Sequence, residues 1–147
     1  YDIKPVGLGA RDTLRMEMKY ALYGNDIDET TSPLEAGLGW IVKFGKGDFI
    51  GKDALLTAKN KRSSRKSVIF KLQERGIPRK GYKIFKDNTE IGEVTSGSIS
   101  PSLDTGIGIG YVEQEYSEPG TEIDIQARRT NITAEIKKPP LVDSSPV

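Results

Sequence analysis

The stretch Thr105-Gly-Ile-Gly-Ile-Gly-Tyr-Val112 constrains this chain most. Ile107, Ile109 and Tyr111 alternate with Gly106, Gly108 and Gly110. Successive side chains of a strand point to opposite faces, so this segment has one bulky face and one bare face. A bare face lets a strand bend tightly or lets another backbone come close. The spacing Gly-x-Gly-x-Gly lacks the Gly-x-Gly-x-x-Gly of a dinucleotide cradle, and no helix pattern follows it. Sterics, not phosphate binding, explains these glycines.

The same period of two recurs on both sides. Val68, Phe70 and Leu72 alternate with Ile69 and Lys71. Further strands are expected over residues 80–86, closed by Asp87-Asn88, over 90–95, over 121–127 after the turn Pro119-Gly120, and over 132–136. Ile91 and Val94 are apolar points that break strict alternation. Six short strands with closely spaced turn signals indicate an antiparallel sheet closed into a barrel or sandwich. The tail from Pro139 to Val147 is expected to fray.

The first part of the chain reads differently. Residues 8–20 are expected to form an amphipathic helix with Asp12 in its first turn, Leu14 and Met18 on the apolar face, and Arg11 and Arg15 one turn apart. Gly24-Asn25-Asp26 supplies its stop. Ser32-Pro33-Leu34-Glu35 has the pattern of a capping box, with proline at the first helical position. Trp40, Val42 and Phe44 alternate as in a strand, and residues 52–60 read as a second helix with Ala54, Leu55 and Ala58 inward. Asn60 to Lys66 carries no apolar residue and is the expected boundary, giving segments 1–62 and 63–147.

Composition narrows the chemistry. The 147 residues contain no cysteine and no histidine, which removes disulfides, thiolate nucleophiles and Cys/His metal sites. A Ser-His-Asp triad is removed as well. A net charge of +1 is no nucleic-acid signature. No apolar run approaches the roughly 20 residues a membrane helix needs.

Several side chains admit both a plain and a functional reading. Arg11 beside Asp12 is either a surface pair or a planar fork for a ligand's carboxylate or carbonyl. Trp40 is either core or a flat wall for a heteroaromatic ring. Asp26, Asp28 and Glu29 lack the spacing of a calcium loop and read as a polar loop. The basic run Lys59 to Lys66 and the pair Arg128-Arg129 are either solvated or a contact for a polyanion.

Together, Gly7-Leu-Gly-Ala-Arg-Asp-Thr-Leu-Arg15, Leu22-Tyr-Gly-Asn-Asp-Ile-Asp-Glu29, Pro33-Leu-Glu-Ala-Gly-Leu-Gly-Trp40, Ile91-Gly-Glu-Val-Thr-Ser-Gly97 and Gly108-Ile-Gly-Tyr-Val112 resemble the C-terminal part of the glycine cleavage T-protein family, the aminomethyltransferases. That resemblance implies an α+β fold. A C-terminal antiparallel Greek-key-like β-barrel (63–147) would follow a short α/β remnant (1–62) of a larger folate-binding domain. It implies a tetrahydrofolate-dependent enzyme that takes an aminomethyl group from the lipoyl arm of the H-protein and releases ammonia. It implies that Arg11 and Trp40 line one wall of the folate pocket, that no catalytic residue lies in this stretch, and that no metal is used. The stretch alone is then expected to be inactive, because the family's catalytic aspartate lies in the N-terminal half. The expected compartment is the cytoplasm, or the mitochondrial matrix in a eukaryote. A folate-dependent demethylase, a dimethylglycine- or sarcosine-oxidising enzyme, and a non-catalytic partner-docking barrel are the alternatives.

Overall fold

A computed structural model describes residues 2–61, 63–127 and 130–143. Six strands form a closed antiparallel barrel: β1 (Arg65–Leu72), β2 (Lys83–Lys86), β3 (Thr89–Ser100), β4 (Thr105–Glu113), β5 (Glu122–Ala127) and β6 (Thr130–Lys137). Their order is β1-β4-β3-β2-β5-β6, and β6 closes back on β1 through pairs such as Phe70↔Ile136. β2, β3 and β4 make a meander, and β5 returns beside β2, which is a Greek-key path.

The interior is filled by Val68, Phe70, Leu72, Ile84, Ile91, Val94, Val112, Ile123, Ile125, Ala134 and Ile136. The β4 glycines face this interior. A Cβ on Gly108 would lie 2.3 Å from the ring of Phe70, its partner on β1, and one on Gly110 would lie 2.7 Å from the carbonyl oxygen of Glu93. The bare face of the strand is therefore what lets a fully buried phenylalanine occupy a narrow barrel. The bulky face, Ile107 and Ile109, points outward and joins Ile69 and Met16 in a second buried cluster.

Two bulges explain the broken alternation on β3. The pairing skips Ile91 opposite β2 and Thr95 opposite β4. Each extra residue resets the phase, so Ile91 and Val94 both enter the core.

The first part of the chain departs from several expectations. Helix α1 spans Leu8–Glu17, so Asp12 lies beyond its first turn. It buries Met16 and Glu17 rather than Leu14, which is exposed. Its stop is not Gly24 but Lys19, which adopts φ 59°. The amide of Tyr20 donates to the Arg15 carbonyl and that of Lys19 to Met16, a Schellman closure with lysine in the position usually held by glycine.

The capping box is present: the Ser32 amide donates to Glu35 Oε1 at 2.9 Å and the Leu34 amide to Ser32 Oγ at 3.3 Å. It caps only a run of turns that Gly37, at φ 76°, terminates. Residues 40–44 form no strand; Gly39–Ile41 is a 3-10 turn, and among the described residues no barrel strand pairs with the segment. Helix α2 spans Lys52–Lys61, with Leu55 and Ala58 partly covered and Ala54 exposed. With β1 starting at Arg65, the apolar-free run is mostly helix end and strand start. The tail is anchored as far as Leu141, whose amide donates to the Glu17 carbonyl at 2.8 Å and whose side chain packs on the Met16 cluster. Residues 144–147, Arg62 and the pair Arg128-Arg129 lie outside the described residues.

Candidate functional site

The chain from α1 to Glu35 lies against the outer wall of the barrel, and buried contacts fix it there. Met16 is fully covered by Ile69, Ile107 and Ile109. Burying that side chain contributes about 1.5–3 kcal/mol. Beside it, the buried Glu17 carboxylate accepts from the Ser100 hydroxyl, from Ser102 Oγ at 3.1 Å and from the Ser102 amide at 3.3 Å. Lys19 Nζ donates to the Ser67 carbonyl at 2.7 Å. Burial first, and Lys66 second, pulls that ammonium below its ordinary pKa.

Arg15 and Asp26 form the polar centre of this contact. Arg15 Nη1 donates to Asp26 Oδ2 at 2.5 Å, and Asp26 also accepts from the Leu22 amide at 2.9 Å. The Tyr111 hydroxyl donates to the Asp26 carbonyl at 2.8 Å. Burial pushes the Tyr111 phenol up to about 12, with Glu35 next in effect. Over the Tyr111 ring lies the Arg65 guanidinium, 4.7 Å from its centroid. Arg65 grips Glu35 with two bonds of 3.0 and 3.2 Å. Burial alone would raise the Glu35 carboxyl; the Arg65 bonds, the Ser32 amide and the Ser63 hydroxyl together hold it below its ordinary value.

The outer side of α1 is open. A groove of about 830 Å³ runs along it, walled by Val6, Leu8, Leu14, Met18 and Tyr20, with Val142 at its end. That volume falls in the range of small-molecule sites, roughly 300–1,000 Å³. Arg11, Arg15 and Glu17 give the apolar lining its charge. Arg15 is spent on Asp26 and Asp12, and Glu17 on the serines. Arg11 is exposed and forms no ion pair among the described residues. A free guanidinium beside an apolar wall can take a ligand that joins a flat apolar body to a carboxylate or carbonyl.

Trp40 is 73% exposed on the 3-10 turn, so it is not core. It does not line the groove that holds Arg11. The two candidate residues therefore share an exposed surface type but not a cavity. Asp28 is a turn residue: the Thr30 hydroxyl, then the Thr30 amide and the Thr31 hydroxyl, hold its carboxyl below its ordinary value. Among the described residues no group of three or more acids could hold a metal ion, and no helix is long and apolar enough to cross a membrane.

Reading residues alone misses Asp26 and Arg15. Asp26 sits among three acids in a polar loop and looks solvated, yet it is 2% exposed. The available signal was a second arginine one turn after Arg11, on the same helix, with Asp12 the one acid at helical i, i+3 or i, i+4 spacing from it.

Comparison with known proteins agrees with the fold. Residues 65–143 match the family model of the glycine cleavage T-protein C-terminal barrel domain, and residues 1–46 match that of the GCVT N-terminal domain. The aminomethyltransferase of Halothermothrix orenii is 59% identical over 138 residues, 94% of this chain and 39% of the relative. That of Bacteroides thetaiotaomicron is 54% identical over 142 residues, covering 95% and 39%. The crystal structure of glycine cleavage system aminomethyltransferase T from Bartonella henselae superimposes with a TM-score of 0.88 at 38% identity, over 93% of this chain and 39% of that one. The chain thus spans about two fifths of the length of these relatives. With an antiparallel barrel, a matching α1 segment and 54–59% identity to two aminomethyltransferases, the chain belongs to the glycine cleavage T-protein family and carries its C-terminal barrel domain.

Proposed function

We propose that this chain forms the C-terminal part of an aminomethyltransferase of glycine catabolism. The whole enzyme moves a one-carbon unit from the aminomethyl-lipoyl arm of the H-protein to tetrahydrofolate and releases ammonia. The observation that carries this reading is the exposed Arg11 guanidinium, without an ion pair among the described residues, at the edge of a mostly apolar groove, in a chain whose relatives are named aminomethyltransferases. Arg11 holds a folate oxygen, and Trp40 offers an indole face to the same ligand once the remaining wall is in place. Fixed positions of this kind lower the barrier by orienting the acceptor.

Two functional segments fit this role, residues 1–62 completing the folate-binding domain and 63–147 forming the barrel. The two family matches, to 1–46 and 65–143, support that division. The 147 residues alone do not turn over, and the enzyme works in the cytoplasm, or in the mitochondrial matrix of a eukaryote.

The test is a joined enzyme in which this chain replaces the matching 138 residues of the Halothermothrix orenii relative. Ammonia release from loaded H-protein and tetrahydrofolate is expected from the joined enzyme and not from the chain alone. Turnover by the chain alone would contradict the division of labour, and an inactive but folded joined enzyme would contradict the functional reading.

A further inference from the structure

Arg11 is useful only if α1 keeps its place, and α1 is a helix of ten residues with no side-chain cap at Gly7. Isolated helices that short are marginal in water. Something in the tertiary structure must hold it. Met16 supplies apolar contact and Glu17 a polar anchor on Ser100 and Ser102 at the end of the helix, but an anchor at one end alone does not fix both rotation and register.

The polar contact beside it does. The side chain of Arg15 is 10% exposed and that of Asp26 1%. Arg15 uses every arm of its fork: Nε to Asp12 at 2.8 Å, Nη1 to Asp26 at 2.5 Å and to the Tyr20 carbonyl at 3.1 Å, and Nη2 to Ser96 Oγ at 2.8 Å. Asp26 is reached from the barrel side by the Thr95 hydroxyl at 2.5 Å. Thr95 and Ser96 are consecutive residues of β3, and consecutive side chains of a regular strand would point to opposite faces. The bulge at Thr95 is what lets both hydroxyls meet the outer network, one donating to Asp26 and one accepting from Arg15. A strand irregularity, a loop carboxylate and a helix guanidinium thus converge at one point.

We infer that Arg15 and Asp26 are positioning residues, seated on the Thr95–Ser96 bulge, that lock α1 to the barrel and so set where Arg11 stands in the groove. Its functional meaning rests on the reading of Arg11 as a folate contact; the lock itself does not. Charge pairing and planar geometry are both needed. Lysine at position 15 keeps the charge but cannot reach Asp12, Asp26, Tyr20 and Ser96 together.

Amide hydrogen exchange in the full 147-residue chain, without folate, tests the lock. Asp26→Asn keeps an acceptor for the Leu22 amide and removes the charge facing Arg15. It is expected to speed exchange of the α1 amides by about tenfold or more, while β5 and β6 amides keep their protection. Arg15→Lys is expected to do the same. Ser96→Ala, the mildest change, carries the test if the others do not fold, and is expected to raise exchange in α1 alone. Unchanged α1 exchange in the folded variants would overturn the inference, as would loss of protection across the whole barrel in Ser96→Ala.

In the joined enzyme, Asp26→Asn is expected to raise KM for tetrahydrofolate by about tenfold with KM for loaded H-protein unchanged. Equal changes in both would reduce the pair to a structural role and overturn the positioning claim. If Arg11→Ala leaves folate affinity unchanged while Asp26→Asn still loosens α1, the functional reading fails and the lock stands.

Discussion

Gly108→Ala isolates the steric reason for the glycine alternation in β4. Gly108 is not in the left-handed region, so its backbone tolerates alanine. In a strand with room to spare, this substitution would stabilise by roughly 0.5–1 kcal/mol, because glycine loses more backbone freedom on folding. Here a Cβ would stand 2.3 Å from Cζ of Phe70, 2.7 Å from Cε2 and 3.0 Å from Cε1. Ordinary carbon contacts lie near 3.5–4.0 Å, so the ring must move by about 1.2 Å or more. Phe70 is fully buried among core residues of neighbouring strands and has no free direction in which to move. Overpacking of this kind costs about 1–3 kcal/mol. The sign should therefore reverse, with net destabilisation of about 1–2 kcal/mol and a melting temperature lower by roughly 2–8 °C. Thermal and urea unfolding of the chain measure it. Phe70→Leu removes the atoms that clash, so the double variant should lose clearly less stability than the sum of the two single variants. A melting temperature equal to or above the parent's, or strict additivity with Phe70→Leu, would refute the steric reading.

Three further outcomes follow from the site. In the joined enzyme, Arg11→Ala should weaken tetrahydrofolate binding by about 1.5–3 kcal/mol, read by calorimetry, if its bond to a charged group is buried on binding. Glu17→Ala should cost about 1–3 kcal/mol in urea unfolding, because it leaves the buried Ser100 hydroxyl and the Ser102 amide without their acceptor. Tyr111 should stay protonated until about pH 12, so the last tyrosinate absorbance step should vanish in Tyr111→Phe. Its folded pKa lies above the ordinary 10.0, so the stability it contributes is complete below that pH and is lost as pH rises towards 12.

The barrel was legible because alternation survives in most of its strands. Val68, Phe70 and Leu72 read as one face and pack as one face. The glycines of β4 declared a close approach, though not that its object was the ring of Phe70. The bulges at Ile91 and Thr95 left a visible trace in the pattern, yet an uneven pattern does not tell which side chains a bulge redirects. The segment before the barrel was harder to read because, from α1 to Glu35, its structure is set by contacts with the barrel. Trp40 to Phe44 has strand spacing but no partner strand, and a lone extended segment is not stable. Lys19 ends α1 in a conformation that lysine seldom takes, held in part by its bond to the Ser67 carbonyl, 48 residues away. Asp26 is buried by an arginine and two barrel hydroxyl-bearing residues, Thr95 and Tyr111, that no local pattern connects to it. Arg11 and Trp40 were singled out by resemblance, and the fold explains only the first of them as part of a groove.

The structure of the joined enzyme with tetrahydrofolate bound tests the assignment most directly. The Arg11 guanidinium should lie within about 3.2 Å of a folate oxygen, with the ligand's flat body along the α1 groove. Folate bound away from α1, with that guanidinium facing water, would contradict it.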